Sequence, residues 1–411
     1  MKDDAMYDVL VIGARCAGAA TALLLSESGQ RVLLVDQADF PSDTMSTLYI
    51  HQPGVARLAE WGVLEALLKT GVPPLRRLTH TIGTVSVGGP LPGYDGIDYA
   101  LAPRRHVLDR LLTDAARAAG ARFRARTKLV DVVRRDGRVV GALLRGPDGT
   151  VSEERGRVVV GADGMRSTLA RRCGSPTTTE HPRRTCVYYT GWRMGGDQVR
   201  LAESQHAYLS VIPTHDDISL VATYAPQADF ARARTDPMGF HLGTISTLAP
   251  DLHDRLRSGQ PDLRLTGTGD QRNFFRRPAG RGWALVGDAG HHKDSITARG
   301  ITDAFRQAES LAGLLAGRCG SDRAADAALE EFARRRDGML AEGYAATLAA
   351  ADLTVTERRL AAHRRIRDSA ELTEVYLGVL AGMRSAEALV RDAPGAPDPG
   401  RPPVTARGAE R

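Results

Sequence analysis

Three stretches of this 411-residue chain combine residue types suited to an anionic, hydroxyl-rich ligand. The first, YDVLVIGARCAGAATALLLSESGQRVLLVDQ (residues 7–37), carries Gly13 and Gly18, and an acid, Asp36, followed by Gln37. Glycines at such a turn let a pyrophosphate approach the N–H groups that open a helix. There the aligned peptide dipoles supply about half a positive charge. An acid at the end of the following strand is placed to accept hydrogen bonds from ribose hydroxyls. The second stretch, VVVGADGMRSTLARRCG (158–174), offers Asp163 beside a glycine. The third, RGWALVGDAGHHKDSITARGITDAFRQAESLAGLL (281–315), offers Gly287-Asp288 and then Gly300-Ile301 at the start of a helix. Taken singly, the second and third are ordinary strand–turn–helix segments.

The elements that must position these groups are legible around the first stretch. Residues 9–12 form a short continuous apolar run, as expected of a strand buried on both faces of a parallel sheet. Gly13 allows a tight turn, and Ala17-Gly18-Ala19-Ala20 gives a small-residue helix face that can pack close to the strand. The helix ends near Ser28, with Gly29 as the residue after its cap. A second apolar strand over 31–35 completes a βαβ unit. Arg15 stands where a second glycine is usual. Its side chain either points away from the phosphates or brings them an additional donor. Cys16 is read as a small residue that fits, without chemistry of its own.

Composition narrows the class. Hydrophobic and charged fractions of 42% and 25% are those of a globular protein. No apolar run approaches the ~18 residues of a membrane-spanning helix. The N-terminal MKDDAMYDVL leads straight into the first strand, so no signal peptide is expected. Four scattered cysteines form neither a CxxC pair nor a disulfide framework, which points to cytoplasmic localisation. The net charge of +6 is spread along the chain without any nucleic-acid-reading motif, so no nucleic-acid partner is expected. A monomer or homodimer is expected, and no metal site: His291 and His292 lack a third ligand at suitable spacing.

Beyond Gln37 the pattern predicts a helix over 54–70, strand-like pieces over 78–100 and a helix over 104–119. Paired strands over 128–134 and 138–144 follow. Alternation over 185–225 (CVYYTGWRM, AYLSVIP, ISLVATYA) predicts an antiparallel sheet, and 263–276 a further strand. Helical patterning dominates 302–392. The tail 393–411 is too rich in proline and glycine to fold alone.

In this order and at these separations, the three signatures resemble those of the class A flavoprotein monooxygenases. These belong to the p-hydroxybenzoate-hydroxylase-like superfamily, which also holds geranylgeranyl reductases and flavin-dependent halogenases. The resemblance covers residues 7–315. It implies an α/β fold: a Rossmann-like FAD-binding domain with a mixed sheet, an antiparallel-sheet substrate domain and C-terminal helices. FAD binding would draw on 1–77, 101–174 and 277–320. The substrate domain would draw on 78–100 and 175–276, with helices over 321–392.

On the same resemblance, residues Gly13 to Gly18, including Ala14, Arg15 and Ala17, face the FAD pyrophosphate, and Asp36 and Gln37 the adenosine ribose. Ser46 and Thr47 approach the flavin. Arg105 lies by the pyrophosphate or ribityl chain (Arg104 is an alternative), and Val130 by the adenine. Asp163 supports FAD and the incoming nicotinamide nucleotide. Gly287 and Asp288 hold the ribityl chain, and Gly300 and Ile301 point N–H groups at the flavin pyrimidine edge. The family's proline and GxG after the GD motif are replaced here by Ser295 and Ala298-Arg299-Gly300. His51 is the candidate proton partner. Tyr188, Tyr208 and Tyr224, with Tyr189 beside them, are candidates to roof a substrate pocket.

The implied reaction is a monooxygenation. NADPH or NADH reduces FAD, O2 adds at the flavin C4a, and the hydroperoxide oxygenates a small organic molecule of specialised metabolism. A geranylgeranyl-type reductase is the alternative on the same fold, and a non-catalytic flavin-binding regulator the alternative of another class. A halogenase is disfavoured, because Trp192 stands alone in TGWRM where a WxWxIP motif would be expected.

Overall fold

The computed structural model describes residues 6–44 and 46–391; the tail over 393–411 lies outside them. Strand β1 (Tyr7–Ile12), helix α1 (Cys16–Glu27) and strand β2 (Val32–Val35) form the expected βαβ unit, with β1 and β2 parallel. Helices α2 (Gln52–Glu60) and α3 (Leu64–Leu68) follow. They replace the single helix expected over 54–70, because the chain turns at Gly62 with a left-handed φ of +67°. Strands β3 (Arg77–Ile82) and β4 (Val85–Pro90) form a hairpin. The segment 96–102, also expected as strand, makes only isolated bridges such as Leu75 to Ala100.

Helix α4 (Arg105–Ala118) leads to β5 (Arg122–Arg124) and a meander of β6 (Lys128–Arg135), β7 (Arg138–Arg145) and β8 (Val151–Gly161), then to α5 (Thr168–Cys173). Strands β9 (Thr177–His181), β10 (Thr185–Arg193), β11 (Gln198–Ser204), β12 (Ala207–Pro213) and β13 (Ile218–Pro226) come next. Helices α6 (Phe230–Ala233), α7 (Pro237–Leu248) and α8 (Pro250–Leu256) separate them from β14 (Thr266–Thr268) and β15 (Asn273–Arg276). The expected single strand over 263–276 is thus two, in different sheets. Short strands β16 (Ala279–Gly280), β17 (Trp283–Leu285) and β18 (His291–His292) precede α9 (Gly300–Leu315). The chain continues through α10 (Asp322–Ala351), α11 (Glu357–Arg367), α12 (Ala370–Leu380) and α13 (Ala388–Arg391).

The first sheet has the order β16-β17-β8-β1-β2-β5, with β17, β8, β1, β2 and β5 mutually parallel. The meander returns antiparallel from β8 through β7 to β6, so the sheet is mixed, as expected. Side chains alternate across it. Val9 and Val11 enter a core with α1, α4 and α9, while Leu10 and Ile12 pack under the meander with Leu129 and Val139. Both faces are covered, which is why the β1 run reads as uniformly apolar.

The second sheet has the order β14-β10-β13-β12-β11-β3-β4 and is antiparallel except where β3 pairs β11 in parallel. Helices α7 and α8 cover one face, with Trp192, Leu209, Val221, Ile245 and Leu252 as the seam. Leu48, Leu75, Leu91, Leu220 and Leu377 are buried together against the other. Among the described residues, no helix is long and apolar enough to cross a membrane.

Candidate functional site

A cavity of about 730 Å³ runs along the carboxyl ends of β1, β2 and β8 to the segment between β17 and α9. In parallel sheets ligands bind at this end, where helix N-termini converge. Gly13 turns with φ +104°, and a Cβ there would sit 2.4 Å from the Ala162 carbonyl oxygen. A Cβ on Gly18 would sit 1.7 Å from the Gly13 oxygen. The two glycines therefore let β1, α1 and the end of β8 close on one another. Asp36 is buried and braced: the Ala14 N–H donates to Oδ2 at 2.7 Å and the Ala38 N–H to Oδ1 at 2.8 Å. Gln37, Ala17, Ser46 and Thr47 line the same cavity.

Arg15 turns its side chain away from the helix axis. Its Nη1 donates to Asp109 Oδ2 at 3.1 Å and to the Ser42 carbonyl at 3.2 Å. Arg105, one helical turn before Asp109, donates to both carboxylate oxygens at 3.1 Å, and the Cys16 thiol donates to Oδ1 at 3.1 Å. Burial disfavours charge on Arg105, but the Asp109 carboxylate, by its charge and its hydrogen bonds, raises the pKa overall. Burial pushes the Cys16 thiol up, so it stays protonated. Two guanidiniums thus share the one fully buried carboxylate of Asp109 beside the N-terminus of α1. The cluster carries a surplus positive charge that an anion would balance.

The other strand ends contribute differently from one another. Asp163 lines the cavity, but its carboxylate accepts from Ser167 Oγ at 2.5 Å, Thr168 N at 2.6 Å and Leu169 N at 3.1 Å. It therefore fastens the start of α5. Burial raises its pKa, which these three donors partly offset. Asp288 is exposed into the cavity and makes no hydrogen bond or ion pair with the described residues. Gly287, at φ +58°, lets this turn pass α1, where a Cβ would meet the Ala17 Cβ at 2.8 Å. Gly300 and Ile301 open α9 at the cavity wall. Val130 does not line the cavity; Thr127, Lys128 and Leu129 do. Val130 is skipped in the β6–β7 register, and its carbonyl accepts from Arg172 Nε at 3.0 Å.

At the far end, the expected tyrosines are displaced by strand parity. Val187 and Tyr189 of β10 line the cavity, whereas Tyr188 points to the opposite face and packs near Phe230 and Phe240. Tyr208 and Tyr224 are buried behind the wall, near Ile296, and the Tyr224 hydroxyl lies 3.1 Å from Ser295 Oγ. The cavity instead meets Tyr49 and Tyr189, whose buried hydroxyls have no partner among the described residues. Burial raises the pKa of both phenols and keeps them neutral.

His51 is also off the wall. It is buried, its Nε2 lies 3.2 Å from the Thr297 carbonyl, and burial with nearby Arg299 holds its pKa down to about 3. Burial there favours the neutral imidazole.

The segment that lacks the family's proline is held by side chains. Asp294 accepts from Thr185 Oγ1 at 2.6 Å and from Ile296 N at 3.1 Å, and Gln271 accepts from Ser295 Oγ at 2.8 Å. Lys293 is buried and ion-paired with Asp303 in the first turn of α9.

Residues 6–341 match the FAD binding domain family. The chain belongs to that family. One curated relative, digeranylgeranylglycerophospholipid reductase 2 of Methanothermobacter thermautotrophicus, is 33% identical over 177 residues, 42% of this chain. That match spans 43% of the relative's length, less than half. The flavin-dependent brominase Bmp2 shares the fold with a TM-score of 0.78 at 17% identity, over 92% of this chain and 93% of its own. PqsL of Pseudomonas aeruginosa, described as a "probable FAD-dependent monooxygenase", has a TM-score of 0.70 at 20% identity, over 90% of this chain and 99% of its own.

The residues present fit FAD. The glycine cradle, the surplus charge of Arg15 and Arg105, and the unpartnered Asp288 carboxylate lie along one cavity in the family's order. Sequence reasoning missed Asp109, Tyr49, Lys293 and Asp294. Of these, only Asp109 carried a signal, an acid one turn after Arg105.

Proposed function

We propose that this FAD-dependent oxidoreductase is a monooxygenase that takes electrons from NADPH or NADH and uses O2 on a small organic compound. The observation that carries the reading is the continuity of one cavity from the glycine cradle to a far wall formed by Tyr49 and Tyr189.

FAD, when bound, supplies the two-electron chemistry that links a nicotinamide nucleotide to O2. Gly13 and Gly18 would admit the pyrophosphate to the first turn of α1, and Arg15 and Arg105 would balance its charge. Asp288 would hold the ribityl hydroxyls, and Asp36 the ribose. The N-terminus of α9 favours negative charge at Gly300 and Ile301. Lys293 pairs with Asp303 in that first turn, so the acid does not cancel the effect. Tyr49 and Tyr189, kept neutral by burial, wall the far end of the cavity, while Leu48 and Ala298 exclude water. The cofactor segments and the intervening sheet, as divided above, follow from the same reading.

A second reading, a reductase of unsaturated prenyl chains, is favoured by the name of the Methanothermobacter relative. The packed leucines on the inner face of the second sheet favour the small substrate, since a long chain would need that space. NADPH added to the purified protein decides between them. Substrate-stimulated oxygen uptake with a product heavier by one oxygen supports the monooxygenase. Reduction of substrate by two hydrogens without oxygen uptake supports the reductase, and failure of any donor to bleach the flavin leaves a binding protein without turnover.

A further inference from the structure

Arg15 occupies the fingerprint position that usually lacks a side chain, yet its backbone, at φ −81° and ψ −173°, is ordinary extended geometry. The side chain is therefore unstrained, and it is committed to two other elements. Nη1 reaches the Ser42 carbonyl at 3.2 Å and Asp109 Oδ2 at 3.1 Å, and Nη2 donates to Ser42 Oγ at 3.1 Å. Asp109 is a fixed anchor, because it is fully buried and its other contacts are taken by Arg105 and Cys16. Ser42 belongs to the segment after β2, whose next residue, Asp43, is held from the start of α4 by Arg104, Nε to Oδ2 at 3.2 Å. The outcome is a bridge from the turn after β1 to the segment after β2. Gly13 at the end of β1 and Asp36 at the end of β2 both line the cavity, so the bridge joins two of its walls. The Arg15 side chain is 29% exposed and lines the cavity, so the bridge lies where cavity and solvent meet.

We infer that Arg15, anchored on Asp109 and fastened to Ser42, is a clasp across the mouth of the dinucleotide cleft that slows the exchange of FAD. The inference rests on the FAD-binding reading above. Bound FAD leaves past the bridge only when the Ser42 contacts open, and opening leaves the Asp109 ion pair intact. Arg15 then acts on the rate of exchange through Ser42, beyond any charge it offers the phosphates.

The test uses holoprotein loaded with radiolabelled FAD and chased with unlabelled FAD, so that retained label reports release without turnover. Arg15→Gly, which restores the usual residue, is expected to speed release about tenfold, the scale of one or two ordinary hydrogen bonds. Ser42→Ala removes one contact and is expected to speed release about threefold. The double variant is expected to release no faster than Arg15→Gly alone. Unchanged release in Ser42→Ala, or multiplied effects in the double variant, would overturn the clasp and leave Arg15 acting on the cofactor alone. A wild-type protein that takes up no FAD would overturn the underlying reading, and the clasp with it.

Discussion

Gly18→Ala adds one methyl group at the tightest point of the cradle. The new Cβ would lie 1.7 Å from the Gly13 carbonyl oxygen, 2.9 Å from its carbon and 3.0 Å from the Ala162 Cβ. Ordinary contact begins at about 3.4 Å, so the two backbones must part by roughly 1.7 Å. Gly13 cannot recede, because its N–H donates to the Val35 carbonyl at 2.8 Å and its own Cβ direction is blocked by the Ala162 oxygen. The start of α1 must move instead, carrying with it the N–H groups meant for the pyrophosphate. Overpacking costs about 1–3 kcal/mol where side chains can adjust. Here backbone meets backbone, so about 3 kcal/mol is expected, or roughly 150-fold in FAD affinity. Titration of apoprotein with FAD, followed by quenching of flavin fluorescence, measures the loss directly. Gly313→Ala on the exposed side of α9, where a Cβ meets nothing within 4 Å, is the control and is expected to be neutral or slightly stabilising. FAD affinity in Gly18→Ala within about threefold of wild type, at an unchanged melting temperature, would refute the close-approach reasoning.

Asp288→Ala is expected to weaken FAD binding by about tenfold or more while leaving the melting temperature of the apoprotein unchanged, since the carboxylate has no partner among the described residues. Tyr49→Phe removes a buried hydroxyl without a partner among the described residues, so the apoprotein is expected to gain up to about 1 kcal/mol in denaturant unfolding. His51 is held at about 3 in the fold against an ordinary 6.5, so the unfolded chain alone takes up a proton as the pH falls below 6.5. Stability is therefore complete well above that pH, and wild type should lose about 1.6 kcal/mol more than His51→Gln between pH 6.5 and 5, read by denaturant titration at both values.

What could be read from the chain before its fold divides along a physical line. The cradle was legible because its causes are local. A strand end, a glycine at positive φ and a helix start lie within a dozen residues, and Asp36 closes the same unit. The destination of Arg15 was not legible, because Ser42 and Asp109 reach it from other elements, 27 and 94 residues away. Parity along β10 was hidden for a different reason. Both faces of the strand are covered, and within the alternating segment Val187, Tyr188 and Tyr189 form a local apolar run that hides which side faces the cavity. Val130 failed through a further mechanism, a register shift in β6 that breaks the expected pairing at that residue. In each of these cases the element was recognised and its orientation was not. Orientation therefore decides what meets the cavity: moving one residue along β10 replaces a tyrosine packed near Phe230 and Phe240 with one that lines the cavity wall.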